Sequence, residues 1–246
     1  MTKGQIMPVL VAVLSAAACG GGDGPTAGGT TTPPAATTAK VRFFNAVWNA
    51  PDGVGFTTNN QFASGSALKY AQSTQTCSTL GVGSTTFGVG VANASGTGLN
   101  SNALATLNNQ AIAGGGNYTV LAGGQSLHPS VVLLDNSVSG TLGANQAAVR
   151  FVNLAAMSQF PFTVLKGAVG SGATTVVQND IAFRAATPFS TVTSGSNAYT
   201  IMYNNAPAIS GNAATLNLQG GTVNTVVIVR NPSSDGFQMI NVPGCP

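Results

Sequence analysis

The side chains in this chain that could do covalent or acid–base chemistry are few: three cysteines, one histidine and five carboxylates, all of them aspartates. Cys77 and Cys245 lack Cys-x-x-Cys spacing and a nearby histidine, so they do not read as metal ligands. In an exported chain such a pair is expected to form a disulfide, with free thiols or intermolecular bonding as the alternative. Ser126, His128 and Asp135 could be drawn as a triad. However, Gly124-Gln125-Ser126-Leu127-His128 lacks the closing glycine and the strand-to-helix elbow that expose a nucleophilic serine, and His128 reads as a loop residue. Asp23, Asp52, Asp135, Asp180 and Asp235 mostly sit beside turn residues, where a short carboxylate bonds its own backbone. They show neither the spacing of a calcium loop nor the close pairing of a glycosidase. The expectation is a protein that is not an enzyme and carries no cofactor and no metal. Trp48, the single tryptophan, follows Phe43, Phe44 and Asn45 and precedes Asn49. An indole beside amides could stack on a sugar ring, and the alternative is a cap on the core.

Charged residues make up 5% of the chain, against a usual share near 25%. Glutamate is absent, and the formal net charge is +3 with Lys and Arg scattered along the chain. No basic face exists to hold a phosphate backbone, so nucleic acid is not an expected partner. Lys3, the apolar run from Ile6 to Ala18 and the small residues Ala16 to Ala18 form an export signal over residues 1–18, too short to span a bilayer as a helix. The stretch Leu14-Ser15-Ala16-Ala17-Ala18-Cys19-Gly20 resembles a bacterial lipobox, which predicts lipid on Cys19 and a membrane attachment through it. Gly, Thr and Pro fill the segment after it, so residues 19–38 read as lipidated cysteine and flexible tether. Gly20 in place of aspartate after the cysteine points to the outer membrane.

These residues need elements to place them, and the pattern from Ala39 onward is of strands and turns. Alternating or β-branched runs include VGFTT (54–58), FGVGVAN (87–93), SVVLLD (130–135), FTVLK (162–166), AYTIMYN (198–204) and VNTVVIV (223–229). Gly, Asn, Ser and Pro clusters separate them. AKVRFFNA from Ala39 returns as AAVRFVNL from Ala147, GSTTFGV from Gly83 as GSNAYTI from Gly195, and ATLNNQ from Ala105 as ATLNLQ from Ala214. The offsets stay between 108 and 112 residues. One β-rich unit is therefore used twice, as residues 39–138 and 146–245, joined by the polar stretch Asn136 to Gln146. The expected fold is all-β: two tandem immunoglobulin-like antiparallel β-sandwiches in series.

The Ala-x-Val-Arg-Phe-Phe/Val-Asn strand, the Ala50-Pro51-Asp52 turn and a late Gly-x-Tyr-Thr-Val-like strand are similar to a bacterial family, domain of unknown function 4397, over residues 39 to 242. Arg42 and Arg150 fall on its arginine position and Asn45 and Asn153 on its Asn/His position. The second copy departs at Met157-Ser158-Gln159-Phe160-Pro161, where a Pro-Asp turn is expected. The resemblance implies an exported sandwich, often in tandem and often lipid-anchored, and it brings no activity and no functional residues.

The functional expectation is a non-enzymatic, lipid-anchored envelope or surface protein presenting two sandwiches for adhesion, matrix contact or assembly. Polysaccharide or another surface protein would be its partner. A carbohydrate-binding module using Trp48 is the alternative, and a filament subunit the remote one. A transmembrane barrel conflicts with sparse aromatics, 7% of the chain, which supply no girdles.

Overall fold

Small, β-branched and amide side chains satisfy their backbone in sheets, and the computed structural model holds eighteen strands. It describes residues 35–156, 160–167, 174–208, 213–234 and 236–246, among which there is no helix. The expected export signal, Cys19 and most of the expected tether lie outside these residues.

The first half runs β1 (Thr38–Trp48), β2 (Val54–Thr58), β3 (Gln61–Phe62), β4 (Gln72–Ser73), β5 (Ser78–Gly81), β6 (Gly83–Val91), β7 (Ala105–Ile112), β8 (Asn117–Gln125) and β9 (His128–Asp135). The second runs β10 (Gln146–Asn153), β11 (Phe162–Lys166), β12 (Thr175–Ile181), β13 (Ser190–Thr193), β14 (Gly195–Tyr203), β15 (Ala206–Pro207), β16 (Ala214–Leu218), β17 (Val223–Arg230) and β18 (Phe237–Pro243). The halves share a connectivity. One sheet in the first half has the order β4-β1-β8-β9, with β5 also on β1, and its counterpart has β13-β10-β17-β18. The second sheets are β3-β2-β6-β7 and β12-β11-β14-β15, with β16 also on β14. Both halves are all-β sandwiches, though not purely antiparallel: β1 runs parallel to β8 and β10 parallel to β17. A parallel partner requires a long crossover, which each half supplies with its entire second sheet.

Three cores hold the molecule together. Val41, Phe43, Val47, Phe56, Phe87, Val89 and Val120 fill the first sandwich. Val149, Phe151, Phe162, Tyr199, Ile201, Val226 and Ile228 fill the second. The third lies between them, where Phe44, Ala46, Leu121 and Leu134 meet Val152, Leu154, Val227, Val229 and Val242. The β1–β8 and β10–β17 sheets are thus covered on both faces, the condition that turns alternation into an unbroken apolar run. The run Val41 to Val47 is buried throughout. The two sandwiches follow one another in the chain and stack as four layers, and residues 35–246 form a single compact unit.

Gly123 shows how closely the middle layers approach. A Cβ there would lie 2.9 Å from Leu154 Cδ2, so the second half packs against bare backbone.

Candidate functional site

The framework residues come first, because the repeat places them twice. Asn45 Nδ2 donates to the Leu68 carbonyl at 2.9 Å and its Oδ1 accepts from Val47 N at 2.7 Å. Asn153 repeats this with the Ile181 carbonyl and Ala155 N, both at 3.0 Å. Thr74 and Thr187 each accept at Oγ1 from the backbone of a core phenylalanine, Phe43 and Phe151. These asparagines hold the chain as it leaves the first strand of each half, and both are fully buried.

Arg42 and Arg150 are buried on strand faces turned toward the middle of the stack. Arg42 donates to the Thr74 carbonyl at 2.9 Å and lies 3.4 Å from Cys77 Sγ. Arg150 donates to Thr225 Oγ1 at 3.0 Å, to the Asp135 carbonyl at 2.7 Å and to Asn136 Oδ1 at 2.5 Å, and it stacks 4.4 Å above Phe189. Burial lowers Arg150 from the usual arginine range to about 10, with the nearby Asp135 charge opposing. Asn136 also bonds Asn117 and Thr119. The linker therefore begins on a buried polar hub that ties both halves together.

One end of the body is clamped. Cys77 and Cys245 form a disulfide, Cα atoms 6.0 Å apart and 168 residues distant in sequence. The C-terminal residues lie across the first half, with Asn117 bonded to both backbone groups of Cys245 and Lys40 Nζ donating to the Pro246 carbonyl at 2.6 Å. The chain enters β1 at this same end, since Lys40 pairs with Asn117.

The opposite end carries the seam between the halves. Trp48 closes β1, about 33 Å from its start at ~3.3 Å per residue. It is half-buried, with the Tyr70 ring edge-on at 5.3 Å and the Arg230 guanidinium 5.4 Å over its face. Tyr70 Oη donates to the Arg230 carbonyl at 2.6 Å, and burial raises its pKa. Trp48, Asn49, Ala50, Pro51, Tyr70 and Pro232 line a cavity of about 420 Å³, so both halves build it. Leu127, 79% exposed, tips the β8–β9 hairpin beside it, where Ser126 N donates to the Trp48 carbonyl.

The structure brings the expected cysteine pair together and sets Trp48 in a cavity wall, while Cys19 lies outside the described residues. It separates the paper triad: His128 pairs with Gln125 at one end of β9 and Asp135 with Tyr118 at the other. Asp135 instead accepts from Ser137 N and Oγ. Among the described residues no three His, Cys, Asp or Glu side chains gather as metal ligands would. Tyr70, Arg230 and Pro232 were not expected at the seam, because none adjoins Trp48 in sequence.

The fold and this geometry define a doubly stacked β-sandwich protein. Residues 39–159 match the family model described as Domain of unknown function (DUF4397). The match runs from the first half through β10, and the expected second copy is not matched. Among solved structures, a "putative cell adhesion protein" from Bacteroides uniformis is similar at 9% identity, over 84% of this chain and 97% of its own, with a TM-score of 0.23. One of the same description from Bacteroides ovatus shows 9% identity over 86% of this chain and 99% of its own, also at 0.23. Scores so low carry no argument about function. A comparison with curated proteins finds no match.

Proposed function

We propose that this chain is a lipid-anchored, non-enzymatic protein of the bacterial outer membrane that presents a rigid double sandwich for adhesion, matrix contact or assembly. The observation that carries this reading is the polarity of the body. The chain enters at the end closed by Cys77–Cys245, and the Trp48 cavity lies at the other. A tether to Cys19 would leave the aromatic end outermost. The disulfide supports an oxidising compartment. Palmitate labelling of wild type and Cys19→Ala tests the anchor, and an unlabelled wild type rejects it. Binding of the intact chain to whole cells, wild type against Trp48→Ala, tests the presenting end, with a loss of binding expected in the variant.

A carbohydrate module using Trp48 is the second reading, favoured by the place of the indole in an open cavity wall. Equal, negligible binding of both proteins on a glycan array would remove it.

A further inference from the structure

The two halves line the outer face of the second sheet with different side chains. In the first half, Gly55 and Gly90 pair across β2 and β6, and a Cβ on either would meet Leu99, with Phe62 also against Gly55. Phe62 and Leu99 thus lie against the sheet and help line a cavity of about 400 Å³ there. In the second half, Thr163 and Met202 occupy the paired positions and line a cavity instead. Three segments converge there, because Phe162 at the start of β11 pairs with Ile181 on one flank and Tyr203 on the other. Asn179 and Asp180 thereby stand to one side, the Asn204-Asn205 turn to the other, and Phe160 before the strand.

We infer that this cavity, lined by Phe160, Asn179, Asp180, Asn204 and Asn205, is a binding site for a neutral saccharide. Its volume is about 450 Å³, with Thr163, Leu165 and Met202 completing the wall. The Phe160 ring is 47% exposed and held edge-on by Tyr203 at 5.8 Å, so it offers an aromatic face for the C–H side of a sugar ring. Three amides and one carboxylate supply both donors and acceptors, the set that adjacent hydroxyls require. Among the described residues, none of these four polar side chains makes a hydrogen bond or ion pair of its own. The corresponding turn in the first half differs, since Asn93 Oδ1 accepts from Ser95 Oγ and Thr97 N, both at 3.0 Å. Asn204 and Asn205 have φ of 49° and 61°, the left-handed hairpin turn that asparagine tolerates, so their amides stand on a fixed backbone. This site is separate from the Trp48 cavity and does not depend on the reading of that cavity.

Saturation-transfer NMR of the intact chain with millimolar methyl glycosides of glucose, galactose, mannose and N-acetylglucosamine tests it. Transfer to at least one sugar is expected. Phe160→Ala should weaken binding by roughly threefold to tenfold, while Trp48→Ala leaves it unchanged. Asn204→Gly with Asn205→Gly keeps the turn, removes both amides and should also weaken binding, so a misfolded Phe160 variant does not decide the matter. No transfer from wild type overturns the proposal. So does binding that survives the glycine pair, or that is lost only in Trp48→Ala, which would move the sugar to the seam.

Discussion

Arg42 and Arg150 hold equivalent places yet end on different partners, Cys77 in one half and Phe189 in the other. Only the second ties directly into the linker hub. Replacing Arg150 with methionine leaves Asn136 and Thr225 short of a charged donor, and should cost about 2–4 kcal/mol in urea unfolding. Arg150→Lys should recover little, because an ammonium cannot reproduce the fork. Tyr199 carries the opposite fault: its hydroxyl is buried with no partner among the described residues. Tyr199→Phe should therefore raise stability by about 1 kcal/mol. Burial raises the pKa of Tyr70, so its proton is held more tightly folded than unfolded. Its contribution is complete below the unfolded tyrosine value near 10 and declines as pH rises past it. The stability of Tyr70→Phe relative to wild type should accordingly improve above about pH 10, read from urea midpoints across that range.

At the scale of elements, Gly123 is where the middle sheets touch. Gly123→Val places a branched side chain against Leu154 and should cost about 1–3 kcal/mol, with Leu154→Ala in the same chain recovering part of it. The strands themselves were legible in sequence: VGFTT and FTVLK coincide with β2 and β11, and SVVLLD falls inside β9. Alternation identifies a strand and its faces, but not its neighbours. The parallel pairing of β1 with β8 therefore had no signal, although adjacent Phe43 and Phe44, both fully buried, are the trace that two-sided burial leaves. Cysteine count made the Cys77–Cys245 bond the expectation, with free thiols or intermolecular bonding as the alternative, and the structure forms the bond. The Tyr70–Trp48–Arg230 arrangement and the cavity beside Phe160 depend on contacts between segments far apart in the chain, and no local pattern encodes them.

The whole molecule should behave as one cooperative body, since the third core and the disulfide join its halves. Calorimetry is expected to show a single transition with matching calorimetric and van't Hoff enthalpies; two separable transitions would show that the seam is weak. Reduction should lower stability by about 5 kcal/mol on the chain-entropy account of a 168-residue loop. The clamp also sets an order of assembly. The chain is made from its N-terminus, and β1 must wait for β8 before their parallel pairing can form. Cys77 waits longer still for Cys245, 168 residues later. If Cys19 carries lipid as proposed, Cys245 is the one other thiol left to Cys77 in this sequence. Maturation then needs an oxidant but no reshuffling of wrong bonds, and a chain truncated at its very end would be left carrying a reactive thiol.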